Sequence, residues 1–256
     1  MEATKPNLVI VPVGSPIDKF IKQTNYPMDV KDHWRWVRPE LNYNILVVKY
    51  SDEFEPEFGS YDELFVQKGF KWTLAKYLWK QIDLTDWEYV AFYDDDVIMD
   101  WQSMNRSFEI AKENNFKAFQ VSLAAGSESQ WPCTRNLPQT SYAYTNFIEV
   151  MCPVFSRSVL PDVMKLIHAY DIFTGWGLDY VLSEYLDSKL AVIHEVEMFH
   201  PPRPDTGSGY DKSKAFAEMD KLLNQVYPAE MEKLGRKVTV DYSRFADKTL
   251  ETFMRV

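Results

Sequence analysis

The run Glu88-Tyr89-Val90-Ala91-Phe92-Tyr93-Asp94-Asp95-Asp96-Val97 decides the fold. Its first half is apolar, β-branched and aromatic, the composition of a strand buried on both faces of a central sheet. Its second half is three consecutive carboxylates. In open α/β sheets, ligands bind outside the carboxyl ends of the strands. Charge of one sign gathered there repels itself, and a divalent cation relieves that repulsion. Mg²⁺ and Mn²⁺ prefer carboxylate oxygens and often share them with substrate phosphates. The run therefore points to a metal and a phosphorylated ligand. The competing reading is an acidic turn after a strand, because Asp also favours turns and helix N-caps.

Outward from this run, strands alternate with helices. Asn7 to Val13 reads as a buried strand ending at Gly14, and Asn44 to Tyr50 as a second. Ser51 to Glu63 is acidic and loop-like. Lys71 to Ile82 carries Trp72, Leu74, Ala75, Leu78 and Trp79 at helical spacing. Ser103 to Asn114 reads as a helix, Lys117 to Leu123 as a strand, and Ala124 to Asn146 as a long polar loop holding Trp131. A loop of that length inside a compact domain is functional or disordered. Phe147 to Phe155 reads as a strand, Ser158 to Tyr170 and Asp179 to Leu186 as helices, and Leu190 to His200 as a last strand. Asp211 to Tyr227 reads as a C-terminal helix. The pattern predicts one α/β domain, Rossmann-like, with a mostly parallel sheet flanked by helices. Its core is expected at about residues 7–204, with a helical extension over 205–256.

Composition narrows the function. The 256 residues carry a formal net charge of −10, with 46% hydrophobic and 15% aromatic residues. An acidic chain lacks the clustered Lys and Arg that a nucleic-acid backbone requires, so no nucleic-acid partner is expected. Cys133 and Cys152 form no metal motif and at most one bridge. Met1 to Pro6 has no apolar signal core, and no apolar run approaches about eighteen residues. The expectation is a soluble cytoplasmic protein with no transmembrane segment.

Several motifs bear on chemistry. Gly175-Trp176-Gly177 fails as a dinucleotide fingerprint, since Tyr180 occupies the third glycine position. Asp179 follows at a helix start, where it is either a cap or a general base at a cleft. His194 and His200 lie six apart, an even spacing that places both on one strand face. His200 ends the strand before Pro201-Pro202, at the ligand-binding edge, and neutral imidazole suits Mn²⁺ beside carboxylates. Arg203 is a candidate contact for a diphosphate.

The order of these parts resembles a glycosyltransferase of the GT-A fold, and more closely the plant and bacterial domain-of-unknown-function family 707. The resemblance is carried by Leu8-Val9-Ile10-Val11-Pro12-Val13-Gly14, by Lys71-Trp72 with Ala75-Lys76, and by Glu88-Tyr89-Val90 leading into Asp94-Asp95-Asp96. It continues through Glu149-Val150-Met151-Cys152-Pro153-Val154-Phe155-Ser156-Arg157, Trp176-Gly177-Leu178-Asp179 and His200. Asp95 stands where family members often carry Glu. The resemblance implies metal-dependent transfer of a sugar from a nucleotide-sugar donor, UDP-sugar by expectation, to a carbohydrate or glycan acceptor. Pro12, Val13, Gly14, Lys71, Asp94 and Asp95 would contact the donor nucleotide. Asp94, Asp96 and His200 would ligate Mn²⁺ or Mg²⁺. Asp179 would be the base of an inverting reaction, with the Trp131 loop over the acceptor. Two alternatives stand beside this reading: a nucleotidyltransferase or phosphate-handling enzyme using the same carboxylates, and an inactive carbohydrate-binding module.

Overall fold

A computed structural model of the chain describes residues 3–128, 131–202 and 211–239. The apolar run at the amino end forms β1, Asn7–Val13, buried along its whole length. Its side chains alternate between faces, Leu8 and Ile10 packing in one core and Val9, Val11 and Val13 in another. Next to it lie β2, Tyr43–Lys49, and β4, Tyr89–Phe92, the strand that leads into the Asp triplet. A short edge strand β3, Glu63–Val66, extends the sheet beyond β2. On the other side follow β7, Val154–Ser156; β5, Ala118–Leu123; β8, Leu190–Met198; and β6, Tyr142–Thr145. The order across the eight-stranded sheet is β3-β2-β1-β4-β7-β5-β8-β6. Only β7 and β6 run against the others, so the expected mostly parallel α/β sheet is present.

Helices cover both faces. One core joins α2, Lys71–Trp79; α4, Leu160–His168; and α5, Leu178–Tyr185 to the sheet. The opposite core is closed by α3, Trp101–Glu113, through Met104, Phe108, Ile110 and Ala111. A short α1, Asp18–Thr24, follows β1. The expected C-terminal helix is two helices, α6, Lys212–Lys221, and α7, Tyr227–Lys233, joined by a π-helical turn over Leu222–Val226. Leu222, Leu223, Tyr227 and Met231 bury into the first core, so this extension packs on the sheet domain. Among the described residues no helix is long and apolar enough to cross a membrane.

Three sequence expectations need correction. Phe147 to Phe155 is a strand only over its last residues; Glu149 to Cys152 turn across the sheet edge instead. Pro153 removes a ladder donor there, the Met151 carbonyl still accepts the Asp94 N–H at 2.9 Å, and the Lys71 ammonium donates to the carbonyls of Val150 and Met151 at the turn. The polar loop Ala124 to Asn146 contains β6, whose half-exposed edge position weakens any apolar signal. His194 and His200 do not share an environment. Three residues bulge from β8, since Val121 pairs with Ile193 but Ser122 pairs with Glu197. An odd insertion reverses which face each later side chain takes.

Candidate functional site

Gly14, the Asp triplet and His200 follow β1, β4 and β8, which run parallel, so all reach the same edge of the sheet. The three aspartates make three different contacts. Asp94 Oδ1 lies 2.6 Å from Lys71 Nζ. Asp95 turns inward, its Oδ2 accepting the Gly14 N–H at 3.1 Å and tying the ends of β1 and β4 together. Burial, then the neighbouring Asp96, pushes its carboxyl up to about 6. Asp96 is buried, and its Oδ2 lies 3.5 Å from His200 Nε2.

Whenever His200 is neutral, its tautomer follows from its other nitrogen. A carbonyl only accepts, so Nδ1–H donates to the Glu128 carbonyl at 3.2 Å. Nε2 then presents a lone pair to the Asp96 carboxylate. Two electron-pair donors that face each other need a proton or a cation between them. A backbone carbonyl orienting the distal nitrogen is also the usual outer contact of a metal-bound histidine. The donor set therefore fits a hard divalent cation. Asp94, the third expected ligand, is held by Lys71. Among the described residues no three His, Cys, Asp or Glu side chains stand ready-grouped around one metal position.

Bridging hydrogen bonds between Ile98 and Phe199, 2.9 and 2.8 Å long, bring the end of β8 alongside the triplet. His194 instead is the first residue of the bulge. Its Nδ1 accepts the Leu137 N–H at 3.2 Å, beside a cleft of about 550 Å³ that also exposes Glu195 and Glu197.

Asp179 lies in the first turn of α5, after Gly177, whose positive φ of 95° suits only glycine. Its carboxyl is buried, and its Oδ1 has no hydrogen-bond partner. Burial first, then the nearby Glu149, raises it to about 7, against the pull of backbone N–H groups at Gly177, Asp179 and Tyr180. Such a value suits a general base near neutrality. The Trp131 loop does reach this neighbourhood: the ring of Tyr180 meets Trp131 and Phe147, with centroids 5.9 and 5.6 Å away.

Two residues of this region escaped the sequence reading. Glu149 lies in the field of Asp179 and His200, its Oε1 accepting the Thr134 hydroxyl at 2.6 Å. It was hidden in a run read as strand. Arg35 is fully buried, and none of its three guanidinium nitrogens has a hydrogen-bond partner. Asp95 and Glu57 are its charged neighbours. Nothing in the surrounding His33-Trp34-Arg35-Trp36 marks that position in sequence.

Among the expected donor contacts, Pro12 and Val13 are buried at the end of β1. Gly14 is pressed against the Tyr50 ring, which would collide with any Cβ placed there. Arg203 lies outside the described residues.

No family model and no curated protein matches the chain. Among solved structures, the chain is similar to S. aureus TarS residues 1–349, with a TM-score of 0.47 at 11% identity over 98% of this chain and 76% of that one. The same segment in complex with UDP-GlcNAc gives 0.47 at 13%, covering 98% and 77%, and in complex with UDP 0.45 at 11%, covering 98% and 76%. These are loose similarities, at 11–13% identity.

Proposed function

We propose that this chain is a GT-A-type glycosyltransferase that moves a sugar from a nucleotide-sugar donor to a carbohydrate acceptor. The observation that carries the reading is the meeting of Asp96 and the His200 Nε2 lone pair at the carboxyl edge of the sheet. Asp94 and Lys71 stand beside them and a buried, partly unsatisfied Asp179 belongs to the same cluster of charges. Asp96 and His200 would hold Mn²⁺ or Mg²⁺, with Asp94 as a further ligand. When bound, such a cation neutralises charge on a departing diphosphate. Lys71 would turn its ammonium from Asp94 to the same phosphates. Asp179 would take the proton of the acceptor hydroxyl as its oxygen bonds the anomeric carbon and the bond from that carbon to the diphosphate breaks. A single base acting on the face opposite the leaving group inverts the configuration. UDP is the expected nucleotide.

The test is a screen of nucleotide-sugars for Mn²⁺-dependent hydrolysis and transfer to simple saccharides. Release of nucleoside diphosphate from at least one donor, lost with Asp96→Ala, is expected. No turnover or binding of any nucleotide-sugar in the presence of metal would overturn the reading.

A further inference from the structure

The Gly175-Trp176-Gly177 turn that delivers Asp179 is held by a residue from outside the strand-helix core. Glu218, on α6, is buried, and its two carboxylate oxygens collect four donors from one short stretch of chain. Oε2 accepts the N–H groups of Phe173 at 2.7 Å and Thr174 at 3.3 Å. Oε1 accepts the Gly175 N–H at 2.7 Å and the Thr174 hydroxyl at 3.0 Å. Three successive amides converging on one anion form a backbone nest, here filled by a side chain of the protein itself. The Thr174 hydroxyl in turn accepts the Trp176 N–H at 3.3 Å, and the Gly175 carbonyl accepts the Leu178 N–H at 3.1 Å. The contact thus passes from Glu218 through the turn to the first residues of α5.

The turn has little freedom elsewhere. Gly175 has φ of 81° and lies so close to the Trp72 indole that a Cβ would collide with it. Met219 and Leu222 pack on Gly177, and Phe216 meets the Trp176 ring edge-on at 5.2 Å. Tyr170, whose buried hydroxyl has no protein partner, lies in the electrostatic field of both Glu218 and Asp179, so the two carboxylates belong to one neighbourhood.

We infer that Glu218 is a positioning residue for Asp179: by filling the nest over residues 173–175 it sets the turn that aims the Asp179 carboxylate. The inference rests on the reading of Asp179 as the base, and it makes α6 part of the reaction site. A carboxylate is needed because glutamine has one acceptor oxygen and would turn an NH₂ group against N–H donors.

The experiment compares Glu218→Gln, Asp179→Asn and the double variant, with Glu218→Asp as a second, charge-retaining variant should the glutamine protein not fold. Binding of UDP with Mn²⁺ is measured separately from turnover. Expected for Glu218→Gln are faster hydrogen exchange at the amides of residues 173–175, near-normal UDP affinity, and a kcat lowered by roughly 10²-fold, the scale of a small misplacement of a reacting group. The double variant should be no slower than Asp179→Asn, because a residue acting through Asp179 has nothing left to position. Unchanged kcat despite loosened amides, a further loss on top of Asp179→Asn, or a parallel loss of UDP affinity would each overturn the inference. Should the wild-type protein transfer no sugar, the proposed function fails on its own. The Asp179 carboxyl carbon resonance then decides the positioning: a shift in Glu218→Gln supports it, and an unmoved resonance overturns it.

Discussion

At the scale of single residues, burial more than charge partners raises the carboxyls of Asp95, Glu149 and Asp179. Asp179 stands near 7 in the folded chain against an ordinary value of 3.8. Between those values the folded protein binds more protons at this position than the unfolded chain does. Stability from this group is therefore present below about pH 4 and is lost as pH rises toward 7. Asp179→Asn, which cannot ionise, should be at least as stable as wild type at pH 8, and that advantage should shrink on acidification. Urea titrations at pH 5 and pH 8 check this. A variant less stable at pH 8 than at pH 5, relative to wild type, would contradict the burial argument. Turnover should move the opposite way, being greatest where Asp179 is ionised.

The two histidines separate cleanly. His200 faces Asp96, whereas His194 serves the backbone at Leu137. His200→Ala should weaken Mn²⁺ binding by more than roughly tenfold, the scale on which even outer contacts of a metal count. His194→Ala should leave it nearly unchanged. Manganese titration followed by electron paramagnetic resonance distinguishes them, and the reverse ranking would move the metal to the bulge at His194.

At the scale of elements, α2 is joined to the carboxyl edge of the sheet by one ammonium. Lys71 reaches the carbonyls of Val150 and Met151 at 2.5 and 3.0 Å, as well as Asp94. Lys71→Met keeps the length of the stem but removes the donor to the Val150 carbonyl and the positive charge beside Asp94. Hydrogen bonds to charged groups are worth about 1.5–3 kcal/mol, and Asp94 is partly exposed, so a loss near the lower figure is expected in metal-free buffer. Added Mn²⁺ should restore part of it by replacing the missing positive charge at Asp94. Chemical denaturation with and without Mn²⁺ measures both effects; equal losses in the two buffers would mean that no cation reaches Asp94.

The same element shows where sequence reading stops. The spacing of Trp72, Leu74, Ala75 and Leu78 marked α2, because a helix buries one face locally and repeats every few residues. The segment from Phe147 to Cys152 is as apolar as a strand, yet it turns. It is held by Lys71, about eighty residues away in sequence, and no local periodicity records such a contact.

At the scale of the whole molecule, the sheet gathers residues from distant parts of the chain at one edge, and ligand binding there should be coupled to global stability. A ligand that binds only the native state stabilises it by about 2.7 kcal/mol at a hundred times Kd. UDP with Mn²⁺ should raise Tm, while Asp96→Ala should fold normally and show no such rise. Scanning calorimetry of both proteins provides the comparison, and an undiminished shift in the variant would remove Asp96 from the site.

Strand and helix identities around β1, β2, β4, α2, α3, α4 and α5 were legible from the chain alone, and so was the gathering of carboxylates at the strand edge after β4. These depend on alternation, spacing and the clustering of charge next to an apolar run, all of which are local. Tertiary structure alone decided that Asp95 faces inward to Gly14, that Lys71 covers Asp94, and that Glu149 and Arg35 belong to the same region. It also decided that a three-residue bulge in β8 sends His194 and His200 to different surroundings and that Glu218 braces the turn before Asp179. Each of these is a contact between side chains or strands far apart in sequence. Its energy comes from burial and from matched donors and acceptors, and those exist only once the sheet has brought the partners together.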